Sequence, residues 1–139
     1  MMPRTAVHGE PRRAVLLRHT CGDATHYDLM IEDFAAAPGQ GLLRTWRIAE
    51  PSWRWADLGR VELQGIDAHR RDYLTYEGPL SGGRGEVTRV DGGEVMIHEW
   101  SEQRTVLEFS FRRFSGTVEM RSDHGQGWVL IVRKAAGCP

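Results

Sequence analysis

The chain has almost no lysine: Lys134 is the only one, and the remaining positive charge is arginine. It also has just two cysteines, Cys21 and Cys138, too few for a disulfide framework and in keeping with a reducing cytoplasm. No apolar run approaches membrane-spanning length; the longest strongly apolar stretch is WVLIV at 128–132. The opening residues, MMPRTAVHGEPRR, lack the apolar stretch of a signal peptide, so a soluble cytoplasmic protein is expected. Internal repeats and low-complexity tracts are also missing. The formal net charge of −1 selects neither for nor against a nucleic-acid partner. Arginine in place of lysine suits phosphate ligands, because a guanidinium fork meets two oxygens at once. A codon bias toward arginine is the plain alternative.

What is present is a series of short period-two segments divided by turn residues, with no sustained helical period. Strands are expected at 14–19, 26–32, 43–48, 60–67, 85–90, 94–100, 104–111, 116–121 and 127–133. Glycine turns are expected at 37–41, 81–85 and 91–93, and a proline–tryptophan loop with one short helical turn at 49–59. This pattern predicts one all-β domain, a small antiparallel β-barrel or sandwich with little helix, over residues 13–134. Residues 1–12 read as a flexible N-terminal arm and 135–139 as a tail.

Alternation sorts the faces. In RTVLEFSF, Thr105, Leu107, Phe109 and Phe111 point one way. In HYDLMIE, Tyr27, Leu29 and Ile31 face a core, and His26, Asp28, Met30 and Glu32 the other side. Residues two apart on a strand lie roughly 6–7 Å apart, so His26 and Asp28 can share an ion. A hairpin through Gly22 and Asp23 brings His19 beside His26. Two imidazoles and a carboxylate make a three-point site suited to Mn²⁺, Fe²⁺ or Zn²⁺, and the ligand types alone do not choose among them. A solvated polar face is the alternative reading. Cys21, inside the turn, reads as a free thiol.

A second constellation follows in GIDAHRRDYLTYEG at 65–78 and PLSGGRGEV at 79–87. Taken together, the two stretches resemble the 3′-phosphoesterase domain of bacterial DNA ligase D. The matching elements run in order: His19, His26-Tyr27-Asp28, Trp46 with Pro51-Ser52, His69 with Tyr73, Tyr76-Glu77-Gly78, and Gly83-Arg84-Gly85-Glu86-Val87. They span about residues 15 to 133. The resemblance implies a small antiparallel β-barrel with a polar groove that heals DNA or RNA-tipped 3′ ends, as a 3′-phosphatase or 3′-ribonucleoside phosphodiesterase. It implies His19, His26 and Asp28 as metal ligands, with manganese favoured, His69 and Tyr73 beside the scissile phosphate, and Arg60 as a phosphate-binding arginine. It also implies end repair with a ligase, polymerase or end-binding protein in trans, since those domains lie outside these 139 residues.

The chain departs from the family in several places, as a stand-alone and partly divergent member would. Met30 stands where the family has a phosphate-contacting arginine. The spacer between His19 and His26 is one residue longer, and Glu50 sits near the place of an expected lysine. Two other classes fit parts of the sequence. An Fe²⁺ oxygenase would pair His26 and Asp28 with His69, His98 or His124. A catalytically weak module binding nucleic-acid ends or a repair partner would use Arg44, Arg47 and Arg54 with Trp46, Trp53 and Trp55, although core packing is the simpler role for Trp46.

Overall fold

The computed structural model describes residues 4–5, 11–122 and 127–135. Eight antiparallel strands close into a barrel: β2 (Arg12–Cys21), β3 (Ala24–Glu32), β4 (Leu43–Ile48), β5 (Arg60–His69), β7 (Glu86–Trp100), β8 (Arg104–Phe111), β9 (Ser115–Ser122) and β10 (Gly127–Ala135). The order around the barrel is β7-β2-β3-β4-β5-β10-β9-β8, with β8 returning to β7. Two-residue strands β1 (Arg4–Thr5) and β6 (Gly78–Pro79) pair with β7. Of the expected arm, Arg4–Thr5 therefore lies in a strand and Arg12 starts β2, while 1–3 and 6–10 are outside the described residues. The only α-helix among the described residues is α1 (Trp55–Leu58), which follows a 3-10 turn at Ser52–Arg54 in the expected loop.

One expected turn is not a turn. Asp91-Gly92-Gly93 lies inside β7, joining the segments expected as separate strands. Arg89 pairs with Leu17 and Asp91 with Leu16, so Val90 is the extra residue of a bulge that bends the strand. Gly93 is needed for close approach rather than reversal: a Cβ there would fall 2.3 Å from the Ser110 carbonyl oxygen. The long strand closes the cylinder, pairing with β2 along its first part and with β8 along its second.

The interior holds Leu16, Leu29, Ile31, Trp46, Leu107 and Phe109, all essentially without exposure. The alternation expected in 104–111 is observed, with Thr105, Leu107, Phe109 and Phe111 buried. Trp55 closes the barrel near the end of β8, edge-on to Phe109 and Phe114 at 5.4 and 5.2 Å, and its indole N–H donates to the Glu50 carbonyl. Near the start of β8, Arg44 inserts between Trp46, Trp100 and Trp128 and donates to the carbonyls of Ser101 and Glu102. The buried Asp91 carboxylate accepts from Ser52 Oγ and from the amides of Gly92 and Arg113, tying the 49–59 loop to the wall.

A second apolar cluster lies on the outer face. Val15, Leu17, Met30, Leu43 and Val87 pack beneath Leu74, Tyr73 and Leu80 of the segment 70–85, which forms a cap. Strand β2 is thus covered on both faces, which accounts for its unbroken AVLL run.

Candidate metal and phosphate site

The site is built on the outer face of the β2–β3 hairpin, at the rim of the cap. A two-residue turn, with Gly22 at φ 61°, joins Cys21 to Ala24 and sets His19 directly opposite His26 and Leu17 opposite Asp28. The hairpin expected from Gly22 and Asp23 is therefore present. His19 Nδ1 lies 3.1 Å from His26 Nε2, and His26 Nε2 lies 3.4 Å from Asp28 Oδ2. One ligand atom from each of the three residues falls within 4.8 Å of the others.

Hydrogen bonding fixes the proton positions. His19 Nε2 is 2.6 Å from the Arg84 carbonyl oxygen, which can only accept, so Nε2 carries the hydrogen and Nδ1 presents a lone pair to the centre. The proton between the two rings then sits on His26 Nε2. Burial holds the His26 pKa below its ordinary value; Arg47 and His19 push the same way, and Asp28 pushes against them. A metal ion bound between the two rings would replace that proton, leaving both imidazoles neutral with a lone pair toward the centre.

Asp28 supplies the strongest constraint. The residue is 5% exposed, and its Oδ1 is buried with no hydrogen-bond partner. The nearest cation is the Arg47 guanidinium, with Nε at 3.9 Å. Burying a carboxylate oxygen unsatisfied costs about 1–3 kcal/mol or more; Oδ2 is the oxygen turned to His26, and a divalent cation taken by both carboxylate oxygens would remove that cost. The donor set of two nitrogens and one carboxylate leaves coordination positions open and fits a catalytic first-row metal.

The second constellation meets the first. A cleft of about 150 Å³ is lined by His19, Asp28, Arg47, His69, Tyr73 and Arg84, with Met30 and Leu80 among its apolar walls. His69 ends β5 and directs Nδ1 at the Asp67 carbonyl, 2.8 Å away, which leaves Nε2 as its free acceptor. Tyr73 stands edge-on to the His69 ring at 5.6 Å. The cap is held in register by Arg71, which donates to the buried Glu32 carboxylate at 2.6 Å, and by Arg89, which donates to the Leu74 carbonyl. Burial raises the Glu32 pKa, but hydrogen bonds from the Arg13 amide and Arg71 outweigh it and leave the carboxyl below its ordinary value.

Three expectations need correction or relocation. Arg60 does not join the cleft. It opens β5 opposite Ile131, nine residues before His69, or roughly 30 Å away along an extended strand. Met30 is 1% exposed and packed in the outer cluster, so the face it shares with His26 is largely covered rather than solvated. Trp46 and Trp55 are core residues, Arg44 is enclosed, and Trp53 is covered by Arg113 at 3.7 Å, so no tryptophan–arginine stacking platform forms. Arg47, which the sequence offers only as one of several arginines for nucleic-acid binding, is the one set beside Asp28; the β3–β4 register places it opposite that residue.

His98 contacts Glu108 on an exposed strand face, well apart in sequence and pairing from the hairpin, and Cys21 is exposed beside the Gly83 carbonyl. His124 and Cys138 lie outside the described residues. Among the described residues, His19 rather than His98 completes the cluster with His26 and Asp28. No family model matches the chain, and a search of curated proteins finds no match.

Proposed function

We propose that the chain is a metal-dependent phosphoesterase acting on phosphorylated 3′ ends of nucleic acid. The observation that carries this reading is the convergence, in one cleft, of the buried and unsatisfied Asp28 oxygen with His19, Arg47, His69 and Tyr73. His19, His26 and Asp28 would hold a divalent ion, manganese by the family resemblance, which would supply Lewis-acid charge to a phosphoryl oxygen. Arg47 supplies a cationic fork that is half exposed and committed only loosely to Asp28. It takes the part first assigned to Arg60. His69 Nε2, left free by the Nδ1 contact to Asp67, would accept or return a proton at the phosphate, with Tyr73 edge-on to the imidazole. Positioning and electrostatics are the principal levers in phosphoryl chemistry, and these residues provide both.

The test is a primer–template carrying a 3′-phosphate, incubated with Mn²⁺ and either the wild-type chain or His26→Ala. Phosphate release by the wild type alone supports the reading. Equal release by both removes it. Met30, buried where the resembling family has an arginine, favours a second reading in which the cleft binds such ends with little turnover. Metal-dependent end binding without release distinguishes it.

A further inference from the structure

A second cleft, of about 330 Å³, lies on the cap itself and opens beside the first. Tyr73, Leu80 and Arg84 line both clefts, so a ligand can pass from one to the other without leaving the surface. Its remaining walls include Arg70, Asp72 and Tyr76. Two guanidinium groups therefore face one carboxylate. Arg84 is held by Ser81, which fixes its fork in place, and Arg70 is exposed with no side-chain hydrogen bond or ion pair among the described residues. The Tyr76 ring is 38% exposed and propped edge-on by Tyr73 at 6.1 Å, with its hydroxyl donating to the Pro79 carbonyl. An aromatic ring and arginines lining one cleft are the groups by which single strands are gripped, the base on the ring and the phosphate on the fork. The notch on the opposite side of His26 is less suited: Arg47 there faces Glu62, and no cation is in excess.

We infer that the cap cleft binds the nucleotide adjoining the 3′ terminus, with its phosphate between Arg70 and Arg84 and its base on Tyr76. This rests on the function proposed above, and it makes the preferred ligand a single-stranded end of at least two nucleotides rather than a mononucleotide. The cap thereby sets strand polarity, the terminal phosphate entering the His69 cleft and the chain leaving over Tyr76.

Calorimetric binding of thymidine 3′-phosphate and of the thymidine dinucleotide 3′-phosphate, both in EDTA, tests the inference without reference to catalysis. The wild type is expected to bind the dinucleotide about tenfold more tightly, the size of one stacked and neutralised nucleotide. Arg70→Ala and Tyr76→Ala each reduce that preference to about twofold or less, while mononucleotide binding stays as in the wild type. Equal affinity of the wild type for both ligands overturns the inference, as does a preference that survives both substitutions. A length preference accompanied by no Mn²⁺-dependent phosphate release supports the cap cleft and removes the enzymatic reading alone.

Discussion

His19 and Arg84 are joined by a hydrogen bond of 2.6 Å from the imidazole Nε2 to a backbone carbonyl. The contact couples a strand of the barrel to the cap and orients the ring nitrogen that faces Asp28. Its integrity depends on Gly85, where φ is +87° and a Cβ would lie 2.0 Å from the Thr20 carbonyl oxygen. Gly85→Ala must move this backbone and release His19. Such outer partners of ligating histidines are commonly worth 10- to 100-fold in metal affinity, so a loss of roughly that size is expected in Mn²⁺ titration. An unchanged circular dichroism spectrum would show that the barrel survives, and unchanged affinity would count against the coupling.

Arg47 and Arg60 give opposite expectations. Arg47→Ala removes the cation beside Asp28 and should lower turnover on a 3′-phosphate about 100-fold, by analogy with the loss of one positioned donor. Arg60→Ala, at the far end of β5, should leave turnover within about twofold of wild type. Steady-state rates on the same primer–template compare the two, and a larger effect at Arg60 reverses the assignment.

The Glu32–Arg71 pair gives a pH signature. The folded-state pKa of Glu32 is depressed, so its stabilisation is complete above the ordinary carboxylate range near 4.5 and is lost as pH falls through the lower folded value. Glu32→Gln should cost about 2 kcal/mol at pH 7. Melting temperatures of variant and wild type should then converge as the pH falls below the ordinary carboxylate value of 4.5 and on through the lower folded one. Curves that stay parallel over that range would exclude a role for this carboxylate in the acid sensitivity.

Arg44 and Trp55 close the barrel near the two ends of β8. Trp55→Ala should cost about 3–5 kcal/mol in urea denaturation, because a fully buried indole leaves a cavity. Arg44→Ala should also destabilise the fold, yet leave the salt dependence of nucleic-acid binding unchanged, since its charge is spent on the Ser101 and Glu102 carbonyls. A shallower salt slope in that variant would return Arg44 to the binding surface.

Much of the barrel is legible along the chain because strand alternation survives in local sequence. The inward set of 104–111 and the His19–His26 hairpin follow from period two and one glycine turn. Residues 91–93 mislead, since glycine serves close approach as well as reversal, and only the position of Ser110 shows which. Met30 misleads because one face of a strand cannot announce a cover supplied some fifty residues later by Tyr73 and Leu80. Arg47 depends on cross-strand register, which the loop between β3 and β4 leaves undetermined until both strands are paired, whereas Arg60 is separated from His69 by the length of one strand.

The aromatic filling of the cylinder has a consequence for how such a chain can change over time. Trp46, Trp55 and Phe109 occupy the lumen, so the proposed site is mounted on the outer wall and borrows nothing from the contents. Stability and activity are then separable properties of the molecule. A descendant stripped of His69, which is only half-buried at the end of β5, would melt, scatter and elute much as its ancestor does, and only a ligand would tell them apart.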